Sequence, residues 1–464
     1  MDMKDALAAV VGTEHVDPAG DRHLQDVTEN PPGQAEFVVR AGTAEEVQAL
    51  VRLSHERGVA LTPVVAGYNV AGLTIPRAGG VVLDLTRMDR IVELDHDAMY
   101  VLVEPGVTFA QLKAHLDAEA PELVYTYPFA PPFTSVMANA LLDGLNNLSM
   151  RHGAMGKWVN GVEAVLADGE VVRTGSGGVV DRWFSRSPLP DLTGLFVSTQ
   201  GTTGIVTKIA LQLQPKPAHR RRWLAFAYDL GSAYAAMRAL ARTGSFDDVG
   251  LMTWPAAKQL FGATGELRRA DDEPFAYLFV DITGATPGEL EARVALGEDI
   301  LAEAGVESRF EAEDVARLVP GLAKLAELPT SLDFLLDYPG GGLTWVGSYG
   351  PGATWEAGAQ RGMDLLVDAG FPPFVVARPM DGGHYYVLRF VACFDKGDPA
   401  EVERVRTVMG NLADAVLDHD YVPYKPSADA ARRILDRAHP GFVHLLERVR
   451  DMLDPDRMMN PGRW

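Results

Sequence analysis

Pro63-Val64-Val65-Ala66-Gly67-Tyr68-Asn69-Val70-Ala71-Gly72 begins within an apolar run, residues 59–65, that reads as a buried strand. Two glycines and small side chains directly after such a strand let successive backbone N–H groups converge without obstruction, which is what a pyrophosphate needs. The spacing is neither GxGxxG nor a Walker loop, because no Gly-Lys-Ser/Thr follows. Taken by itself the stretch reads as a tight turn, so its neighbours decide. Upstream, residues 43–58 place Val47, Leu50, Val51 and Leu53 at helical spacing behind Thr43-Ala44-Glu45-Glu46, and Gly58 ends the helix. Downstream, residues 80–85 and 100–103 read as strands and residues 111–116 as helix. The alternation predicts an α/β or α+β arrangement rather than a bundle.

Farther along, short strands and turns dominate residues 141–217. Asp168-Gly169 between the apolar runs 162–166 and 171–173 marks a hairpin. Pro215-Lys216-Pro217 breaks this unit. Strands at 223–228, 275–280 and 385–394, with helices at 289–304 and 354–369, predict a separate α+β region up to about residue 420. The tail returns to helix at 441–453 and stops at Asp454-Pro455.

At 464 residues the chain has room for two or three domains. Lys+Arg 42 against Asp+Glu 63 gives a net charge of −21, which repels phosphate backbones and anionic lipid. No nucleic-acid partner is expected. The single cysteine, Cys393, excludes an intrachain disulfide and any Cys-based metal cage, so redox chemistry needs a borrowed cofactor. No metal is expected. Residues 1–11 lack a signal-peptide core, and no stretch reaches the ~18 apolar residues of a membrane span. A soluble, cytoplasmic protein is the expectation.

Three motifs in order carry a resemblance: the 63–72 loop, Gly79-Gly80-Val81-Val82-Leu83-Asp84-Leu85-Thr86-Arg87-Met88, and Tyr100-Val101-Leu102-Val103-Glu104-Pro105-Gly106-Val107-Thr108-Phe109. It continues through Asn139-Ala140, Gly144, residues 161–175, Leu195-Phe196 and Gly204-Ile205-Val206-Thr207-Lys208, and ends at Leu453-Asp454-Pro455 with Asn460-Pro461-Gly462. Together these resemble the vanillyl-alcohol oxidase / p-cresol methylhydroxylase (PCMH-type) flavoprotein superfamily, nearest its 4-alkylphenol and aryl-alcohol branch. The resemblance implies an α+β fold: a bipartite FAD-binding domain, residues 1–217 and 421–464, with a substrate cap, residues 218–420, inserted. It implies FAD, with Val65, Ala66, Gly67, Tyr68, Asn69, Val70, Ala71 and Gly72 around the pyrophosphate. Pro105, Gly106, Val107, Asn139, Gly204, Ile205 and Val206 would meet the rest of the cofactor.

The branch passes a hydride from a para-substituted phenol, bound as phenolate, to flavin N5. Tyr68 matches the first of its two phenol-binding tyrosines, and Tyr424-Lys425 stands where it has Tyr-Arg. Lysine supplies the charge without arginine's planar fork. Ala154 falls at the branch's catalytic aspartate, so Arg151 or His152 would have to replace that carboxylate. His384, in Asp381-Gly382-Gly383-His384-Tyr385-Tyr386, is a further candidate base or orienter, with Arg378 or Arg389 pairing a carboxylate. Histidyl-linked relatives carry histidine where this chain has Tyr68-Asn69 and near Val367, so noncovalent FAD is expected. Alternatives are a 2-hydroxy-acid dehydrogenase, whose metal-site histidine run is missing here, and a flavoprotein subunit or scaffold of a redox complex. The expected partners are a small-molecule substrate and either a second copy or a redox subunit.

Overall fold

Three larger sheets, beside a two-stranded pairing of Leu123–Val124 with Gln214–Pro215, organise the protein, seen in a computed structural model that describes residues 2–260, 262–264, 266–306, 308–318 and 337–464. The first is four-stranded: Phe37–Arg40 and Leu61–Val64 run parallel to the central Val81–Asp84, and Val16–Pro18 adds an antiparallel edge. Helix Ala44–Arg57 makes the crossover. Thr43 Oγ1 accepts from Glu46 N at 3.1 Å, and Gly58 closes the helix in the left-handed conformation. Its Val47, Leu50 and Val51 are buried against the sheet, which accounts for the apolar spacing.

The second sheet is antiparallel, in the order Ile91–Asp95, Tyr100–Val103, Ile205–Gln212, Val159–Val165, Val171–Arg173. The hairpin expected at Asp168-Gly169 pairs its last two strands, with Gly169 at φ 81° and Asp168 Oδ1 accepting from Glu170 N at 2.8 Å.

The third sheet has eight antiparallel strands, in the order Ser308–Glu311, His219–Ala227, Ala276–Gly284, Asp248–Thr253, Val375–Met380, Tyr385–Asp395, Gly341–Gly350, Val422–Pro423. Helices Leu230–Arg242, Pro287–Glu303, Trp355–Asp368 and Pro399–Asp418 contribute buried side chains to one shared apolar core with this sheet. A charged row crosses four of the strands. Arg222 lies opposite Asp281, and Asp281 opposite Asp248. Arg222 donates through Nε and Nη2 to the two oxygens of Asp281, at 2.9 and 2.7 Å, and Arg220 Nη2 adds a bond at 2.8 Å. Arg378 Nη2 donates to Asp248 Oδ2 at 2.8 Å. Burial alone would raise Asp281, but Arg222 and Arg220 hold its carboxyl below the ordinary value. No helix among the described residues is long and apolar enough to cross a membrane.

Candidate active site

A cavity of about 270 Å³ lies where the first two sheets meet the edge of the third. Its first wall is the loop after strand Leu61–Val64. Among the described residues, the N–H groups of Ala66, Gly67, Tyr68, Asn69 and Val70 have no acceptor within the chain. Gly67 sits at φ 73° with open space where a Cβ would be. Asn69 shapes the loop: its Oδ1 accepts from Ala71 N at 2.7 Å and Leu73 N at 3.1 Å. The carbonyls just beyond are held from the other end of the chain. Arg463, buried, donates to the oxygens of Gly72, Leu73 and Ile75 at 2.8–3.0 Å, and Asn460 N donates to Leu61 O at 2.8 Å. Replacing Asn69 with alanine removes two of these bonds, each contributing about 0.5–1.5 kcal/mol, so FAD should bind roughly tenfold more weakly. Fluorescence titration of the flavin-free protein measures this.

Farther in, Pro105, Gly204, Ile205, Val206 and Asn139 line the same cavity. Gly106, Val107, Ala71 and Gly72 do not. Gly106 N donates to Met88 O at 2.6 Å, Val107 is core, and Gly72 packs on Asn30, so their work is to shape the turns. Asn139 Oδ1 is buried with no hydrogen-bond partner. A Cβ on Gly144 would stand 1.9 Å from that oxygen and 2.8 Å from Lys425 Nζ, so the glycine is what lets both side chains converge. A run of free N–H groups, apolar walls and an unpartnered buried acceptor fit FAD: the first suits a pyrophosphate, the second a flat ring, and the third a ring N–H or amine.

The opposite wall belongs to the third sheet. Strand Val422–Pro423 pairs with Gly341–Gly350, and Tyr424 N donates to Gly347 O at 3.0 Å, which fixes Tyr424-Lys425 at the cavity. Arg389 hydrogen-bonds Tyr424 Oη and lies 4.5 Å above the Trp345 ring. Tyr349 stacks on Tyr424 at 4.3 Å and donates to Asp143 O at 2.9 Å. Burial, with repulsion from Arg389, pushes the Lys425 amine down to about 7, against the pull of Asp143. Burial raises Asp143 in turn, while Gly156 N donates to its Oδ1 at 2.9 Å. Tyr68 stands at the cavity, 48% exposed, edge-on to Phe133.

Tyr68, Tyr424 and Lys425 therefore share one cavity. The other three expected catalytic residues lie outside its lining. Arg151 is taken up by an ion pair with Asp247. His152 meets Trp158 edge-on at 5.3 Å, its pKa lowered by burial and by Arg151. His384 is exposed beside the turn at Asp381–Gly383. Arg378 is also committed elsewhere, to Asp248. Ala154 is buried in an apolar cluster with Leu145, Met380 and Val387, against which Tyr349, Tyr385 and Tyr424 pack. Val367 is solvent-exposed on its helix and does not line the cavity. Sequence reasoning passed over Asp143 and gave Arg389 no flavin-side role. The Asp143-Gly144 pair just past a short helix was the available signal for the first; only cross-strand register reveals the second.

Comparison with known proteins bears on the cofactor and the fold. Residues 35–175 match the family model described as FAD binding domain. The chain is 25% identical over 474 residues to the 4-cresol dehydrogenase [hydroxylating] flavoprotein subunit of Pseudomonas putida, covering 94% of this chain and 88% of that protein. It is 31% identical over 242 residues to the glycolate oxidase subunit GlcD of Bacillus subtilis (strain 168), covering 50% of this chain and 49% of that protein. The chain spans about half the length of the curated relatives it matches at this higher identity. A solved structure of p-cresol methylhydroxylase with substrate bound superimposes with a TM-score of 0.87 at 20% identity, over 99% of this chain and 95% of that one. The chain thus carries an FAD binding domain over residues 35–175 and, along its length, the fold of p-cresol methylhydroxylase.

Proposed function

We propose that the protein is an FAD-dependent oxidoreductase that oxidises a para-substituted phenol or aryl alcohol, with residues 1–217 and 421–464 holding the cofactor and 218–420, joined by Tyr424 and Lys425 from the edge of the third sheet, holding the substrate. The observation that carries this reading is the grouping of Tyr424, Lys425 and Arg389 on the cavity that also receives the free N–H groups of residues 66–70. Bound FAD supplies the hydride acceptor. Tyr424 and the cation beside it fix the phenol oxygen, and their positive field favours the oxygen's anionic form, whose electron donation assists loss of the benzylic hydride. Leu145, on the cavity and in the cluster with Ala154, provides an apolar surface that keeps water from the reacting carbon. FAD is held without a covalent bond in this reading, since the loop offers Tyr68-Asn69 and no histidine.

Two cations on an apolar wall also suit a carboxylate, so oxidation of a 2-hydroxy acid is the second reading, supported by the likeness to the glycolate oxidase subunit. The deciding experiment adds 4-alkylphenols, vanillyl-type alcohols and D-2-hydroxy acids anaerobically to purified holoenzyme and follows the oxidised flavin band. Bleaching by phenols or aryl alcohols supports the first reading, and bleaching by hydroxy acids alone replaces it. Acid precipitation of the same sample should leave the yellow colour in the supernatant.

A further inference from the structure

We propose that Lys425 is the base that takes the hydroxyl proton of the phenolic substrate, and that a second chamber behind it is the proton's way out to solvent. The proposal rests on the phenol reading above and deepens it.

The argument begins with elimination. Among the described residues lining the main cavity there is no aspartate, glutamate or histidine. Tyr68 and Tyr424 are phenols themselves, and Arg389 does not give up its proton. Among the described lining side chains, Lys425 is the one with a basic nitrogen that can lose its proton near pH 7. Asp143, the nearest carboxylate acting on it, lies outside the lining and accepts from Gly156 N.

Placement is the second argument. Lys425 also lines a separate chamber of about 610 Å³, bounded by Glu29, Arg77, Arg406, Asn411 and Arg433. Its amine makes no hydrogen bond or ion pair among the described residues. The chamber's cations have partners of their own: Arg433 with Asp414 and Asp429, Arg432 with Asp429, Arg406 with Glu403 and the Glu29 carbonyl, and Arg77 with Asn30. Glu29 Oε2 is buried without a partner, and burial raises its carboxyl pKa, so it favours the neutral acid as a stop on the path. The groups facing Lys425 are therefore Arg389 from strand Tyr385–Asp395, Asp143 and Asn139 from the cofactor side, its neighbour Tyr424, and this chamber.

In the step itself the substrate O–H bond breaks and its electron pair stays on oxygen, while the Nζ lone pair forms a new N–H bond. The resulting ammonium offsets the phenolate, and after turnover it returns its proton to solvent through the second chamber.

A lysine that only supplied charge would behave differently, and proton counting separates the two roles. Holoenzyme is titrated calorimetrically with 4-chlorophenol, which has no benzylic hydrogen to lose, in buffers of different ionisation enthalpy. At about pH 6 Lys425 is already an ammonium, so binding the phenolate releases about one proton; at about pH 8.5 the neutral amine takes that proton and release falls to about zero. In Lys425→Arg, which keeps charge but cannot accept, release stays at about one proton at both pH values. Release of about one proton by the wild type at both pH values overturns the base. Failure of the wild type to bind any phenol overturns the substrate reading, and this proposal with it; that result is distinct from binding with unchanged release.

Discussion

Asp281→Ala should cost about 3–5 kcal/mol of stability, the scale for removing one member of a buried ion pair. The carboxylate accepts four bonds from Arg220 and Arg222 in the interior of the eight-stranded sheet, where Arg222 and Asp281 are both nearly inaccessible. Alanine fills neither the volume nor the charge, so the Arg222 guanidinium keeps its desolvation cost while losing what Asp281 offset. Thermal unfolding should show the midpoint of the sheet's transition lowered by roughly 10 °C. The acid response has a defined sign. Because the arginines depress the folded-state pKa of Asp281, its contribution is complete above the unfolded value of about 4 and disappears as pH falls through the lower folded value. The variant should therefore lose less stability on acidification than the wild type. A midpoint within a degree of the wild type at neutral pH would show that the charged row carries no net stability.

Arg389→Met should lower kcat/KM for a phenolic substrate by about 10²–10³, the range found when one preorganised donor is removed from a developing anion. Arg389 touches three parts of the site: it hydrogen-bonds Tyr424 Oη, stacks over Trp345, and repels the proton on Lys425. Methionine roughly preserves the volume and removes all three effects. With the repulsion gone, the ammonium form of Lys425 is favoured and its pKa climbs from about 7 toward the ordinary lysine value. The pH dependence of anaerobic flavin reduction should accordingly move to higher pH as the rate falls. A slower enzyme with an unmoved profile would mean that Arg389 only packs the wall.

The cofactor half of the fold was readable because its signals are local. Thr43 and Gly58 bracket a helix by their own chemistry, Asp168-Gly169 marks a hairpin, and the loop after residue 64, a tight turn when taken alone, gains its reading from the motifs that follow it in order. Tyr424-Lys425 lines the cavity, although its support, a two-residue strand on the edge of the third sheet, left no pattern in the sequence. Arg151, His152 and His384 show the limit. Their residue types suit catalysis, but which way a side chain faces depends on partners such as Asp247 and Trp158, 96 residues away in one case and within the next turns in the other. The charged row was invisible for the same reason. Arg222, Asp281, Asp248 and Arg378 become neighbours only once four strands are in register, and strand order between distant segments is not a local property.

Arg463 imposes an order on biosynthesis. The carbonyl of Gly72 waits for a guanidinium 391 positions later, and Leu61 waits in the same way for the N–H of Asn460. At ribosomal speeds of about 5–20 residues per second, the stretch from Gly72 to Arg463 takes roughly 20–80 s to make. Throughout that interval the loop after residue 64 lacks its brace, and the whole eight-stranded sheet is made before the brace arrives.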